Sequence, residues 1–134
     1  MLGNVAPMLP LFSGASAAYD RLSVDLQATS AIDATSESGE MLPEAGSQPL
    51  SIEFNNVSFS YPSRSTQPVL RNVSLTFPAG KYTAIVGLSG SGKSTIASLI
   101  TRLYDPAEGS VTINGQDVRD LNVRGLRSRI GFVQ

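Results

Sequence analysis

Residues 87–95 read Gly87-Leu88-Ser89-Gly90-Ser91-Gly92-Lys93-Ser94-Thr95. They match the pattern of a glycine, four free residues, a second glycine, a lysine and a hydroxyl residue, which is typical of loops that bind nucleotide phosphates. Before the loop, the β-branched and aromatic residues of 82–86 predict a buried strand. After it, residues 95–103 place four apolar side chains on one face of a predicted helix. A strand, this loop and a helix in that order favour a phosphate-binding loop over a plain connecting turn.

Each residue type in the loop suits a phosphate ligand. Three glycines lack a Cβ atom and can adopt positive φ, so backbone N–H groups can converge on an anion at a helix N-terminus. They are Gly87, Gly90 and Gly92. Lys93 adds a positive charge for the terminal phosphates, and the Ser94 hydroxyl is suited to ligate a bridging Mg²⁺. We expect Thr95 near the inner phosphates, whereas Ser89 either reaches the terminal phosphate or is only a small loop residue.

Composition indicates a folded chain of one small domain. Of its 134 residues 41% are apolar and 16% are charged, and it contains no Cys and no His. Disulfides, thiolate metal sites and histidine acid–base chemistry are therefore excluded. Residues 1–50 hold six acids and one base, whereas residues 51–134 hold nine bases and five acids, hence a net charge of +4 that suits a phosphate ligand. Because aromatic and basic residues do not interleave, nucleic acid is not indicated.

The first fifty residues differ from the rest in pattern. Residues 1–19 carry no charge, but prolines and glycines interrupt them, so neither a signal peptide nor a clean membrane span fits. Helical spacing of apolar residues from Val5 to Leu26 predicts either a helix leaving an apolar environment or an amphipathic helix on the domain. Residues 28–49 hold four acids and no base, which predicts an acidic linker or a solvated loop.

A β-rich lobe is predicted before the loop. Ile52 and Phe54 alternate with polar residues, and Val57 and Phe59 continue in the opposite phase, so a bulge or tight turn is expected at Asn55-Asn56. A second β stretch is expected from residue 68 to residue 77, followed by a turn at 78–80.

Beyond the helix, residues 110–118 predict a β-hairpin around Asn114-Gly115. Residues 121–129 predict a short helix whose three arginines, at 124, 127 and 129, form a solvated face. Residues 130–133 predict a buried strand, and because that strand runs into Gln134, the domain is expected to be cut rather than finished.

From Ser51 to Gln134 the sequence resembles the nucleotide-binding domain of ATP-binding cassette (ABC) transporters. Phe59-Ser60-Tyr61-Pro62 is similar to the family's aromatic loop, and residues 87–95 are similar to its Walker A motif. Residues 103–118, with Asp105-Pro106, Gly109 and Asn114-Gly115, are similar to the segment that follows that motif. Gln134, after Ile130-Gly131-Phe132-Val133, stands where the family has its Q-loop glutamine.

The resemblance implies an α/β fold: an incomplete P-loop NTPase core of the ABC ATPase type, with an antiparallel β lobe and an N-terminal helix. It implies ATP and Mg²⁺ as ligands, Tyr61 stacked on adenine, and Gln134 both in catalysis and, with Ser94, at the metal. The nucleotide contacts that it implies are Tyr61, Gly87, Ser89, Gly90, Ser91, Gly92, Lys93, Ser94 and Thr95. For Tyr61 and Val69 the alternative to a contact with the base is a role as ordinary core or edge residues.

The resemblance also implies three regions: the end of a transmembrane-domain helix (1–27), an acidic linker (28–49) and part of a nucleotide-binding domain (50–134). The Tyr-Pro-Ser-Arg turn and the linker are similar to multidrug-resistance exporters of the B subfamily. The parent protein would couple ATP hydrolysis to export across a membrane, with its nucleotide domain in the cytoplasm. Its partners would be a second nucleotide-binding domain and the transmembrane domains of the same transporter, and no nucleic acid.

Three functional interpretations remain open. In the family the signature loop, the Walker B aspartate, the catalytic glutamate and the switch histidine follow the Q-loop, and these 134 residues contain none of them. We therefore expect at most weak ATP binding from the isolated chain, and whether it is an enzyme stays open. One alternative is another P-loop protein, although a GTPase would need an Asn-Lys-x-Asp motif, which is absent, and a kinase would not explain the β lobe. The other is a non-catalytic truncated fragment.

Overall fold

The computed structural model describes residues 31–44, 46–131 and 133. The N-terminal helix expected within residues 1–27 lies outside this part of the chain, and so do Phe132 and Gln134. From Ile32 onward the described residues belong to one compact unit.

Four strands in the described part of the chain form an antiparallel sheet. They are β1 (Ile52–Phe59), β2 (Leu70–Phe77), β3 (Glu108–Ile113) and β4 (Gln116–Asp117). Their order in space is β2-β1-β3-β4. At the β3–β4 turn Asn114 has φ 49° and Gly115 has φ 83°, the two positive values that a tight hairpin turn needs. The β lobe and the hairpin predicted from the sequence are confirmed.

A bulge divides β1 where the alternation of apolar residues changes phase. Phe54 pairs with Leu75 and Val57 with Val73, so β1 has an irregularity between the two pairs. Asn56, inside the irregularity, has φ 52°. The extra residue turns the second half of the strand over, so that Phe54 and Val57 are both buried on the same side. The bulge expected at Asn55-Asn56 is confirmed.

Within the described residues, two short helices pack on the sheet: α1 (Lys93–Ile100) and α2 (Val123–Ser128). A 3-10 helix (Pro62–Arg64) lies between β1 and β2. The helices and strands enclose one cluster of buried apolar side chains. Its members are Leu42, Phe54, Val57, Phe59, Leu70, Ile96, Leu99, Val111, Ile113, Val118, Leu121 and Leu126. Ile96 and Leu99 fix one face of α1 against this core.

Helix α1 begins and ends earlier than residues 95–103, the span that the sequence predicts. Arg102 adopts φ 51°, a left-handed conformation that ends the helix. Leu103, expected on the buried face, is 54% exposed for that reason. Helix α2 is shorter than the predicted 121–129, because the Asn122 side chain caps it by accepting a hydrogen bond from the Gly125 N–H at 2.7 Å.

Two buried strands predicted from the sequence are wrong. Residues 82–86 form no strand, and Tyr82 and Val86 are 108% and 89% exposed. In residues 130–133, Gly131 and Val133 are exposed and lie in no strand. Such apolar runs are buried when neighbouring strands flank them on both edges and helices cover both faces. The four strands of the described sheet pair with one another and with neither run, so hydrophobicity alone does not bury these segments.

Residues 36–42, which we call the strap, pack against the loop that leads into α2. The Glu40 N–H donates to the Asp120 carbonyl and the Asn122 N–H donates to the Glu40 carbonyl, both at 2.8 Å. Leu42 is buried in the core. Gly39 has φ 105°, and a Cβ there would lie 2.7 Å from the Asn122 nitrogen, so only glycine permits this approach. This part of the predicted linker is therefore not a fully solvated loop, whereas the domain boundaries stay a prediction.

Candidate functional site

The phosphate-loop sequence forms a tight turn that leads directly into α1. Gly92 caps the helix with φ 90°, a conformation that favours glycine. A Cβ on Gly92 would lie 2.8 Å from Leu70 Cδ2, so the residue is also required by its packing against the start of β2. Gly87 differs: its φ is not positive, and a Cβ there would lie 2.6 Å from the Ser91 hydroxyl, which would have to rotate away. The loop can therefore bring its backbone close to a ligand.

The Lys93 ammonium lies inside the turn. It donates to the Leu88 carbonyl at 2.6 Å, to the Gly87 carbonyl at 2.8 Å and to the Ser91 hydroxyl at 3.4 Å. Its hydrogen bonds go to neutral oxygens, and no carboxylate in the described part of the chain forms an ion pair with it. Its positive charge is therefore not neutralised locally and can attract an anion.

Tyr61 lies beside the loop, although 34 residues separate it from Thr95. The two side-chain hydroxyls are 3.0 Å apart and form a hydrogen bond. The Tyr61 ring makes perpendicular contacts with Phe59 and Tyr104, with centroids 5.1 and 5.3 Å away. The ring is half-buried in an aromatic cluster and at the same time lines the cavity next to the loop. Tyr61 therefore belongs both to the aromatic cluster and to the cavity wall, and its role in binding a base stays a prediction.

A cavity of about 550 Å³ lies between the loop and the turn that follows Tyr61. One wall is the loop and the first turn of α1, and the other is the segment from Tyr61 to Val69, which lies between β1 and β2 and includes the 3-10 helix. The lining residues are Tyr61, Arg64, Gln67, Pro68, Val69, Ser89, Gly90, Gly92, Lys93, Ser94 and Thr95. Among these described residues two are cations, Arg64 and Lys93, and none is a carboxylate.

Most of the site residues predicted from the sequence meet at this cavity. Seven of them line it, namely Tyr61, Ser89, Gly90, Gly92, Lys93, Ser94 and Thr95. Gly87 and Ser91 do not line it but contact the Lys93 ammonium. Gln134 lies outside the described residues.

Sequence reasoning missed two polar residues of the cavity wall, Arg64 and Gln67. The 3-10 helix begins directly after Tyr61, and the Arg64 N–H donates to the Tyr61 carbonyl at 2.8 Å. The Gln67 N–H donates to the Arg64 carbonyl at 3.0 Å. The available signal in the sequence was the Tyr-Pro-Ser-Arg turn. A turn that begins directly after Tyr61 keeps the residues that follow it near the Tyr61 side chain.

The loop suits a magnesium ion that is held largely by its ligand's phosphates. The Ser94 hydroxyl is exposed at the cavity and is a hard oxygen donor of the type that Mg²⁺ prefers. Among the described residues no group of three or more acidic side chains could hold a metal. Mg²⁺ in phosphate sites needs only one or two protein ligands, so Ser94 fits such an ion.

Comparisons with known proteins agree with one another. The family model described as "ABC transporter" matches residues 70–134. "ABC transporter 1" of Ajellomyces capsulatus is 51% identical over 131 residues, covering 98% of this chain and 10% of the relative. "ABC multidrug transporter MDR2" of Trichophyton tonsurans is 46% identical over 134 residues, covering 100% of this chain and 10% of the relative. The chain belongs to the ABC transporter family.

The structural comparison agrees with that assignment. A solved structure described as a bacterial Atm1-family ABC exporter with ATP bound matches with a TM-score of 0.61 and 40% identity, covering 69% of this chain and 16% of that chain. The α/β class of the ABC ATPases, expected from the sequence, is therefore confirmed. This ABC transporter chain spans about one tenth of the length of the curated relatives it matches. No helix among its described residues is long and apolar enough to span a bilayer.

Proposed function

We propose that this cavity binds Mg·ATP and that the chain is the ATP-binding part of an ABC exporter. The observation that carries the proposal is the position of the two walls: the phosphate loop forms one, and Tyr61 with its turn forms the other. A cavity of about 550 Å³ is within the size range of small-molecule sites. The family assignment, which generally implies nucleotide binding, supports the same ligand.

The phosphates would lie on the α1 wall. The first amides of a helix have no partner within the helix and can donate to an anion. Lys93 supplies a full positive charge at the same place, and no carboxylate among the described lining residues would repel the phosphates. A bound Mg²⁺ would neutralise part of the phosphate charge, and the Ser94 hydroxyl is the residue suited to hold it.

The adenine would lie on the opposite wall, against Tyr61. Stacking of a base on an aromatic ring contributes about 1–3 kcal/mol. The contacts of Tyr61 with Phe59, Tyr104 and Thr95 hold the ring in place, so little side-chain entropy is lost when a base stacks on it. Val69 and Gln67 border the same wall and would contact the base or the ribose.

Binding, rather than hydrolysis, is the activity expected from these residues alone. The described residues of the lining include no Asp, Glu or His, so they offer no ordinary general base to activate water. Hydrolysis would need groups from outside the cavity. We propose that Gln134 is one of these groups and acts near Mg²⁺ and the attacking water. A second nucleotide-binding domain would supply the others.

We propose that the complete protein couples ATP hydrolysis to export, with this domain on the cytoplasmic side of a membrane. The support is that relatives matching nearly the whole chain are named multidrug transporters or, in Leptosphaeria maculans, "Multidrug resistance protein sirA". The transmembrane domains of the same transporter would be its further partners. The second candidate function is nucleotide binding without any catalytic role, which the lack of a base in the cavity favours.

A binding titration of the purified chain with a fluorescent ATP analogue and Mg²⁺ tests the proposal. We expect saturable binding that is lost in Lys93→Ala and in Tyr61→Ala. Lys81→Ala is the matched control, because Lys81 is exposed and does not line the cavity. If the unmodified chain is folded by circular dichroism but does not bind, or if Lys93→Ala binds equally well, the proposal is wrong.

The role proposed for Gln134 has its own test. ATP affinity is measured with and without Mg²⁺ for the unmodified chain and for Gln134→Ala. We expect the variant to lose part of the gain that Mg²⁺ provides while its affinity without Mg²⁺ stays the same. An equal loss under both conditions would show that Gln134 does not act at the metal.

A further inference from the structure

The C-terminal end of α1 is held by an arginine of α2. The Arg127 Nε–H donates to the Thr101 carbonyl at 3.0 Å, and its Nη2 donates to the Arg102 carbonyl at 2.7 Å. Arg127 is half-buried, so the interpretation of all three arginines as a solvated face is wrong for this residue. Arg124 differs: its side chain is 74% exposed and lies 3.7 Å from Glu37.

These two carbonyls need a partner from outside the helix. The carbonyls of Ala97, Ser98 and Leu99 already accept hydrogen bonds from the three N–H groups that follow Ile100. The left-handed conformation of Arg102 stops the helical pattern there, so the carbonyls of Thr101 and Arg102 find no helical donor. A planar guanidinium can donate to two adjacent oxygens at once, and its charge is favourable at the negative end of a helix.

A second arginine crosses in the opposite direction. Arg102 Nη1 donates to the Leu121 carbonyl at 3.3 Å, and its Nε donates to Asp105 at 3.1 Å. The end of α1 is therefore tied both to α2, through Arg127, and to Leu121, the residue before the cap of α2. The position of α1 follows that of α2 because these hydrogen bonds join the two.

The other end of α1 forms the phosphate wall of the cavity. The helix has eight residues and is about 12 Å long. A helix this short is marginal by itself, so its position depends on what holds it from outside. Ile96 and Leu99 hold its middle through apolar contacts, which allow small sliding, whereas Arg127 holds its end through directional hydrogen bonds.

We propose that Arg127 is a positioning residue for phosphate binding: by fixing the end of α1, it fixes the loop amides and Lys93 relative to the nucleotide phosphates. The inference rests on the proposed function of the cavity. The adenine wall belongs to the segment between β1 and β2, which Arg127 does not contact. Loss of Arg127 therefore weakens mainly the phosphate part of binding, and it affects the base part less, through the hydrogen bond between Tyr61 and Thr95 of α1.

The test compares Arg127→Met, Arg127→Lys and the unmodified chain, with Arg124→Met as the matched control on the same helix. A fluorescent ATP analogue is displaced with ATP and, separately, with AMP, which keeps the base but lacks two phosphates. We expect Arg127→Met to lower ATP affinity about tenfold and AMP affinity far less. Arg127→Lys keeps the charge and one hydrogen bond, so it should recover part of the loss, and Arg124→Met should match the unmodified chain.

The ratio of ATP to AMP affinity separates positioning from general destabilisation. A variant that only unfolds part of the sample lowers both affinities by the same factor, and circular dichroism measures that folded fraction. An unchanged ratio in a folded Arg127→Met, or an equal loss in Arg124→Met, overturns the inference while the cavity function stands. If the unmodified chain binds neither nucleotide, the proposed function fails and the inference fails with it.

Discussion

The hydrogen bond between Tyr61 and Thr95 joins the two walls of the cavity, and removing it should lower stability by a measurable amount. Thr95 is 3% exposed, so its hydroxyl has little access to water once its partner is lost. Leaving a buried hydroxyl without a partner costs about 1–3 kcal/mol. Tyr61 is half-buried and water can reach part of its surface, which favours the lower half of that range for Tyr61→Phe. We therefore expect a loss of about 1–1.5 kcal/mol in the free energy of unfolding.

The assay is urea unfolding monitored by circular dichroism for Tyr61→Phe, Thr95→Val and the double variant. If the 3.0 Å hydrogen bond is formed in solution, the double variant should lose less stability than the two single losses added together. The difference should be about 1 kcal/mol. Strict additivity of the two single losses would refute the reasoning, because it would show that the two hydroxyls do not interact.

Nucleotide affinity measured on the same variants separates packing from binding. Tyr61→Phe keeps the aromatic ring and should keep most of the base stacking, so folded Tyr61→Phe should bind ATP nearly as tightly as the unmodified chain. Tyr61→Ala removes the stacking surface and should lose binding. If both variants lose binding equally, the ring is not an adenine platform and only its position next to Thr95 matters.

Three further predictions concern the strap, the sheet and the cavity rim. Leu42→Ala should cost about 2–4 kcal/mol in urea unfolding because Leu42 is 5% exposed, whereas Met41→Ala, at a 65% exposed position, should cost less than about 0.5 kcal/mol; equal losses would mean that the strap does not dock. Burial raises the pKa of Asp117, but hydrogen bonds from the Arg119 side chain and backbone outweigh it and leave the pKa below its ordinary value of 3.8. Since the pKa of Asp117 is lower in the folded state than in the unfolded state, ionised Asp117 stabilises the fold above about pH 4, and this stabilisation is lost as the pH falls below that value. Asp117→Asn should therefore make the free energy of unfolding less sensitive to acid. An unchanged dependence of that free energy on pH would contradict the prediction. Arg64→Ala should lower ATP affinity about two- to fivefold, as expected for a partly solvated charge contact, in the fluorescent titration at low salt, and the effect should shrink at high salt; an effect independent of salt would exclude a charge contact.

The local elements with strong turn or loop chemistry were predictable from the sequence. The β1 bulge was visible as a change of phase at Asn55-Asn56, and the β3–β4 hairpin was visible in Asn114-Gly115. A helix directly after the loop followed from the phosphate-loop pattern, although α1 begins at Lys93 and not at Thr95. In each case neighbouring residues decide the conformation, because a positive φ, or a change of phase in the alternation of apolar residues, depends on a stretch of only three or four residues.

The elements that depend on distant partners were not predictable. Residues 82–86 have the composition of a buried strand, but burial depends on flanking strands that the described sheet does not provide. Arg127 has the spacing of a solvated helix face, and only the end of α1 at Arg102 makes it a hydrogen-bond donor to another helix. Gly39 gave no local signal either, because its close approach to Asn122 joins residues far apart in the chain.

The cavity combines both kinds of residue, and its two walls should therefore respond differently to change. The wall that we propose for the phosphates is encoded by consecutive residues, so its local shape should tolerate changes elsewhere, although by our inference its position depends on Arg127. The adenine wall depends on tertiary contacts: Tyr61 is placed by the end of β1, by the aromatic cluster and by its bond to Thr95. Substitutions in the core near Phe59 should accordingly weaken base recognition before they weaken phosphate recognition. If the cavity binds Mg·ATP as proposed, a variant that keeps the glycine-rich loop should keep its affinity for the phosphates while it loses affinity for the base.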